Sequence, residues 1–395
     1  MKLTLLLTMV LFSLCAPGPA LAADCPRNID EDGPVQGVRP LDLRELWRVG
    51  GEDDEVIFGD IAELKVHGDG NLYILDHQLC HVVVISPDGE YLRDISREGD
   101  GPGELRQPTG LIFLSDDIMG IGAGFPAKLV TLRTDGTPID THYPCGAPAE
   151  GNVAVMIRVE YEDSVLAATG GRIVFAADGR SHTERFMSIS DAGCETFRYI
   201  LETDTPFDPT GLSYVETEHY YIDGSWELGT GGRIYAAMKR DAYEISEFDT
   251  SGELVRIFGR RYEPRKRTSE EKGRVRPLIN NGGPVNPDWT IADHDPCVAR
   301  IMVDPDDDTI WVLTPHGHED QPEGILETWD VFAPDGVYLR QVPIPLGHEM
   351  SDGTCTLVGG GRLVVVRGTG SDVDTGEDDG HGEVEPLEVI CYGIL

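Results

Sequence analysis

Three stretches of this chain carry residues whose type and spacing could do chemistry. "TPHGHED" sets His316 and His318 two residues apart, with Glu319 and Asp320 beside them. Imidazoles so placed on an irregular loop suit a transition metal or a general base, because histidine changes charge near neutrality. No third ligand follows from the sequence, and a solvated polar loop is the plainer reading. The second stretch is the basic run Arg260, Arg261, Arg265, Lys266, Arg267, Lys272, Arg274 and Arg276. Within it Arg265, Arg267 and Arg274 could grip a carboxylate, a sulfate or an acidic glycan through planar forks. The alternative is an exposed helix whose "TSEEKGR" charges pair locally or with an acidic surface. The third stretch, "GSDVDTGEDDGHGE" (370–383), opens with Asp372 and Asp374 like a calcium loop. Gly376 and Glu377 break the EF-hand pattern, so an acidic loop with at most weak calcium affinity is expected. No G-x-S-x-G, no Gly-rich phosphate cradle and no nucleophile–base pair accompanies them.

The charge balance narrows the partners. Asp and Glu number 70 against 32 Lys and Arg, a formal net charge of −38. Such a field repels nucleic acid and anionic membrane surfaces. It suits a salty medium and a calcium-rich one equally. The chain opens "MKLTLLLTMVLFSLCAPGPALAADC", an early lysine, an apolar run and Ala20-Leu21-Ala22. That pattern predicts a secretory signal over 1–22, followed by a polar tail over 23–39 and a secreted or periplasmic protein. Leu14 occupies the place before Cys15 where a lipoprotein wants a small residue. No later segment is apolar enough to span a bilayer. Of the 8 cysteines, all but Cys15 follow the signal, an odd number, and none sits in a C-x-x-C spacing.

The elements that would position these groups are strands, and they repeat. "VVVISPDGEYLRDI" runs apolar into a turn and out again, and the same form returns in "LVTLRTDGTPI", "FMSISDAGCETF", "ISEFDTSGELVRIF" and "WDVFAPDGVYLRQV". The turn glycines are Gly89, Gly136, Gly193, Gly252 and Gly336, at intervals of 47, 57, 59 and 84 residues. A second strand precedes most copies, as in "LYILD", "IMGIG", "IYAAM", "IWVLT" and "LVVVR". In the third unit, "EDSVLAATGGRIVFAADGRSH", either half fits that strand. A four-stranded unit of roughly 40–50 residues is a propeller blade, and the longer intervals leave room for insertions. Five hairpins and a sixth start near Cys355 predict an all-β, six-bladed propeller over 40–395. The C-terminal unit supplies three strands only. Residues 43–49 should complete it and close the ring, which removes the open edge a secreted β-protein must avoid. A monomer is expected.

"GDGNLYILDHQLCHVVVISPDGEYLRDISREGDGPGELRQPTG" resembles an NHL-type blade of bacterial exported six-bladed propeller proteins. The charged insertion over 260–296 is similar to a helical excursion found in those proteins. Propellers of this type include binding scaffolds, lactonases and lyases, so the resemblance implies fold and not function. In lactonase-type propellers a calcium-type ion sits in the central channel, on oxygen ligands heading successive inner strands. The resemblance would place Asp60, Asn152 and Asp223 in that set, with Thr109 where an asparagine belongs; turn chemistry explains the same residues. Propeller geometry would also bring Cys297 and Cys355, at the starts of adjacent inner strands, within reach of a disulfide, and Cys25 could tie to Cys391. The function expected is a non-catalytic propeller binding a small ligand, glycan or protein on the face that collects the crossovers between blades. The alternative is a metal-dependent lactonase or esterase with a calcium-like ion. A lyase acting on acidic polysaccharide through the arginine insertion is a third reading.

Overall fold

The computed structural model describes residues 25–52, 54–143, 153–175, 181–191, 197–206, 213–223, 225–275, 288–347, 353–368 and 386–395. Six sheets of at least four strands stand in a ring. Blade 1 holds Ile61–Val66, Leu72–Asp76, His81–Ile85 and Tyr91–Ile95; blade 2 holds Pro108–Ser115, Ile118–Ala123, Lys128–Arg133 and Pro138–His142. Blade 3 is built of longer strands, Val153–Glu162, Val165–Phe175, Ser181–Ser190 and Phe197–Pro206. Blade 4 holds Trp226–Gly229, Arg233–Ala236, Glu244–Phe248 and Leu254–Arg260, and blade 5 Arg300–Val303, Ile310–Leu313, Ile325–Phe332 and Tyr338–Pro345. Blade 6 takes Gly353–Leu357, Arg362–Arg367 and Glu388–Ile394 from the C-terminus and Leu43–Gly50 from the N-terminus. Leu43–Gly50 pairs antiparallel with Glu388–Ile394, so the ring closes as the strand count requires. In the third unit both candidate halves belong to one strand, Val165–Phe175.

Strand alternation explains why a blade folds against two neighbours at once. Successive side chains of a strand point to opposite faces. Val82 and Val84 enter the apolar cluster shared with blade 2, whereas Val83 and Ile85 enter the one shared with blade 6. Tyr73 and Leu75 divide from Leu72 and Ile74 in the same way. Both faces are covered, so the second strand, "LYILD", is buried throughout. Six such clusters result, one at each blade interface. Gly89 shows what the hairpin turn demands. Its φ is +88°, and a Cβ there would lie 2.6 Å from Trp47 Cβ on the blade 6 outer strand. Positive φ and close approach both require glycine.

The polar tail pairs with two blades from residue 27 onward. Arg27–Asp30 adds a fifth, parallel strand to the outer edge of blade 4. Residues 35–41 then follow the outer strand of blade 5, where Val35 N, Arg39 N and Leu41 N donate to the carbonyls of Tyr338, Gln341 and Pro343. The N-terminal segment thus covers the edges of blades 4 and 5 before completing blade 6. Three short helices lie on the crossover face: α1 (Glu216–Asp223) before blade 4, α2 (Ser269–Arg274) between blades 4 and 5, and α3 (Pro315–Glu319) after the second strand of blade 5. Thr268 caps α2 and Glu271 reaches back to it, a reciprocal capping box. None of the described helices is long and apolar enough to cross a membrane.

Candidate functional site

The inner strands stand around the central axis, and their charged residues meet across it. Glu63 and Lys65 alternate with apolar residues on the blade 1 inner strand, Arg158 and Glu160 do so on blade 3, and Glu227 sits on blade 4. Lys65 Nζ pairs with Glu160 and lies 3.5 Å from Glu63. Blades 1 and 3 are not neighbours, so that pair spans the channel. Gly110 of blade 2 permits the approach, since a Cβ there would lie 2.9 Å from Val159 and 3.5 Å from Glu63 Oε2. Arg158 joins Glu160 at 2.9 Å to Glu227 at 2.6 Å, and its guanidinium lies 4.7 Å from the Trp226 ring. Glu63 also accepts from Leu111 N at 3.0 Å.

Three carboxylates therefore share two cations in a partly desolvated channel. Burial first, and then the charge of Glu160, push the Glu63 carboxyl up to about 7. Burial also raises Glu227. At Glu160 burial opposes ionisation, but Lys65 and Arg158 outweigh it and hold the group below its ordinary value. The arrangement can exchange a proton near neutrality at Glu63 while remaining internally neutralised elsewhere.

The basic run is committed to the fold. Arg265 donates to Asp320 at 3.1 Å, Asp295 at 2.9 Å and Glu271 at 2.5 Å. Arg267 meets Glu216 at 2.8 and 2.9 Å and Asp295 at 2.5 Å. Glu216 accepts further from Arg240 at 2.8 Å and Ala292 N at 2.8 Å. Arg274 pairs with Glu270 one turn away, exposed. The anion-site reading of Arg265 and Arg267 is corrected: their forks are filled by carboxylates from three crossover and loop segments. Arg276 lies outside the described residues.

The two histidines part company. On α3, His316 bonds Asp320 through Nδ1 at 2.6 Å and Glu263 O through Nε2 at 3.2 Å. His318 instead places Nδ1 3.3 Å from the buried Glu327, whose hydrogen bond and charge raise its pKa. Glu327 also accepts from Trp329 Nε1 at 2.9 Å and from Cys355 Sγ at 3.0 Å. They do not form one two-histidine site.

Of the lactonase-type positions, the described residues include Asp60 and the backbone of Asp223. Asp60 is exposed at the head of the blade 1 inner strand, where its carbonyl accepts from His77 N at 2.7 Å. Asp223 closes helix α1 rather than heading a strand, and Asn152 lies outside the described residues, as does the acidic loop 370–383. No group of three or more His, Cys, Asp or Glu side chains among the described residues has metal-binding geometry. The proposed disulfide is also corrected. Cys297 and Cys355 are free thiols in different cores, the first between blades 4 and 5, the second between blades 5 and 6. Cys25 leads the strand on blade 4 while Cys391 is buried between blades 6 and 1, so they are not joined.

Sequence reasoning passed over Glu63, Lys65, Arg158, Glu160 and Glu227. Their signal was two charges at i and i+2 inside otherwise apolar inner strands, "AELKV" and "MIRVEYE".

Residues 52–122 match a family described as a 6-bladed beta-propeller. No curated protein matches the sequence. Among solved structures, a member of the duf4221 family from Bacteroides vulgatus is 10% identical, covers 90% of this chain and 99% of its own, and superposes with a TM-score of 0.50. A candidate exported protein of Bacteroides fragilis is 12% identical over 93% of this chain and 98% of its own, TM-score 0.46. A calcium-binding protein, regucalcin, of Agrobacterium tumefaciens is 12% identical over 91% and 97%, TM-score 0.46. Identity this low speaks to fold alone: the chain is a six-bladed β-propeller.

Proposed function

We propose that the protein is an exported, non-catalytic propeller that binds a ligand or partner on its crossover face. The observation that carries this reading is the self-neutralised channel. Glu63, Glu160 and Glu227 are held on Lys65 and Arg158. A hard cation needs convergent oxygen ligands, and the carboxylates nearest the axis already have cationic partners. One feature favours the hydrolase instead. Glu63 is a channel carboxyl that titrates near neutrality, as a general acid or base must.

Metal content, thermal unfolding and hydrolysis separate the two. The purified mature protein should carry no stoichiometric divalent ion, unfold at the same temperature in calcium and in chelator, and leave lactones and esters intact. A ligand that binds only the native state raises the midpoint. One ion per chain, a calcium-dependent midpoint and turnover lost in Glu63→Gln would establish the hydrolase.

A further inference from the structure

The crossover face is not uniform, and one sector of it is dressed for a partner. The crossover from blade 6 into blade 1 exposes Ile57 (70% accessible), and the loops after the second strands of blades 1 and 2 expose Leu79 (41%) and Phe125 (51%). These loops adjoin one another. Gly59 packs against Gln78; His77 Nδ1 lies 2.8 Å from Pro108 O; Gly124 N donates to Gln107 O at 2.8 Å. The three apolar side chains thus follow one rim, from the head of the blade 1 inner strand to that of blade 3. Isolated exposed apolar residues are ordinary, but several gathered on a ligand-bearing face mark an interaction surface.

The charge around them defines the occupant. Glu52, Glu55 and Asp60 on the same crossover are exposed, and no described residue forms an ion pair with them. The neighbouring crossover does carry Arg97 and Arg106, but each is held on carboxylates, Arg97 on Glu104 and Arg106 on Glu98 and Asp100. Lys128 follows the Phe125 loop and its charge acts on Asp100, so the negative field is concentrated at the Ile57 end of the rim, where apolar area lies beside carboxylates with no ion pair to a described residue, on a chain of net charge −38. We propose that this sector docks a polypeptide segment that alternates basic and apolar side chains. The proposal rests on the crossover-face binding reading and names the partner class for it. Lysine or arginine would neutralise Glu52, Glu55 and Asp60, while the apolar residues cover Ile57, Leu79 and Phe125. Steering by such a field speeds encounter and weakens with salt.

A fluorescein-labelled peptide of Lys, Leu and Gly, titrated into the mature protein by anisotropy, tests this directly; a peptide with Glu in place of Lys is the control. The Lys peptide should bind and the Glu peptide should not. Ile57→Ser with Phe125→Ser should weaken binding about tenfold or more, since each removes apolar area from the contact. Glu55→Gln with Asp60→Asn should weaken it several-fold and flatten its salt dependence. Arg274→Ala, across the face, should change nothing. All these side chains are exposed, so the variants keep the fold, and unchanged thermal unfolding verifies it. Equal binding of both peptides, insensitivity to the rim substitutions, or a dimer that Ile57→Ser with Phe125→Ser dissolves overturns the proposal. If binding persists but fails instead on Arg265→Ala, this inference falls and the crossover-face reading stands. Calcium-dependent turnover with no peptide binding removes both.

Discussion

Two sectors of one face use charge in opposite ways. Around blades 4 and 5, Arg240, Arg265 and Arg267 are nearly buried and pair with Glu216, Asp295, Glu271 and Asp320. Around the entry to blade 1, carboxylates with no ion pair to a described residue stand beside exposed apolar side chains. The first sector bears the long insertion, and its charges tie three excursions to the propeller and to each other. The second bears short loops that need no such ties. A conspicuous basic run in an acidic protein therefore marks where the fold is held together. The proposed binding surface is the quiet acidic crossover.

The sharpest way to break this comparison is to remove Glu216. Arg240 and Arg267 would be left buried without their shared anion, and breaking a buried pair costs about 3–5 kcal/mol. Glu216→Ala should lower stability by that order in urea unfolding, while peptide binding at the other sector survives in the remaining folded protein. A loss below about 1 kcal/mol would show the network to be an ordinary surface one.

The channel supplies the next effect. Glu63 keeps its proton up to about 7 in the folded chain, whereas an unfolded chain releases it in the ordinary carboxylate range near ~4.3. The folded state then holds more protons between those values, so stability falls as pH rises through the window, by at most about 1.4 kcal/mol per pH unit. Glu227, raised by burial, acts in the same direction. Glu63→Gln should flatten the wild-type slope between pH 5 and 7, read from denaturation midpoints. Parallel pH profiles for the two proteins would contradict the channel assignment.

The smallest effect is expected at the acidic rim. Glu55→Gln and Asp60→Asn remove exposed charges that have no ion pair among the described residues, and should shift stability by less than about 0.5 kcal/mol. That near-neutrality, beside the large cost at Glu216, sharpens the division between holding and binding charges.

Much of the fold was legible because blades repeat. The glycine turns, the buried second strands and the three-strand C-terminal unit foretold the six blades and the closing strand Leu43–Gly50. The strap over 27–41 was not legible. It adds to blade edges through backbone hydrogen bonds, which "RNID" and "VRP" make without any apolar pattern. The site was harder still. Lys65 and Glu160 each look like an ordinary strand charge, and only the packing of blades 1 and 3 on either side of blade 2 brings them together. The histidines and arginines were found by type, but Glu216 lies in another crossover, 24 residues from Arg240 and 51 from Arg267, and nothing in "TPHGHED" points to Glu327 on the strand that follows. Cys297 lies in the crossover before the blade 5 inner strand, against the core between blades 4 and 5, whereas Cys355 lies within the blade 6 inner strand, in the core between blades 5 and 6.

The division between the two sectors is tested most directly by hydrogen–deuterium exchange on the mature protein, free and saturated with the Lys, Leu and Gly peptide. The account predicts added protection over 51–60, 77–80 and 124–127, with 262–275 and 293–320 unchanged. Protection confined to 262–275 and 293–320 would contradict it, and would return the arginine-bearing insertion to the binding role.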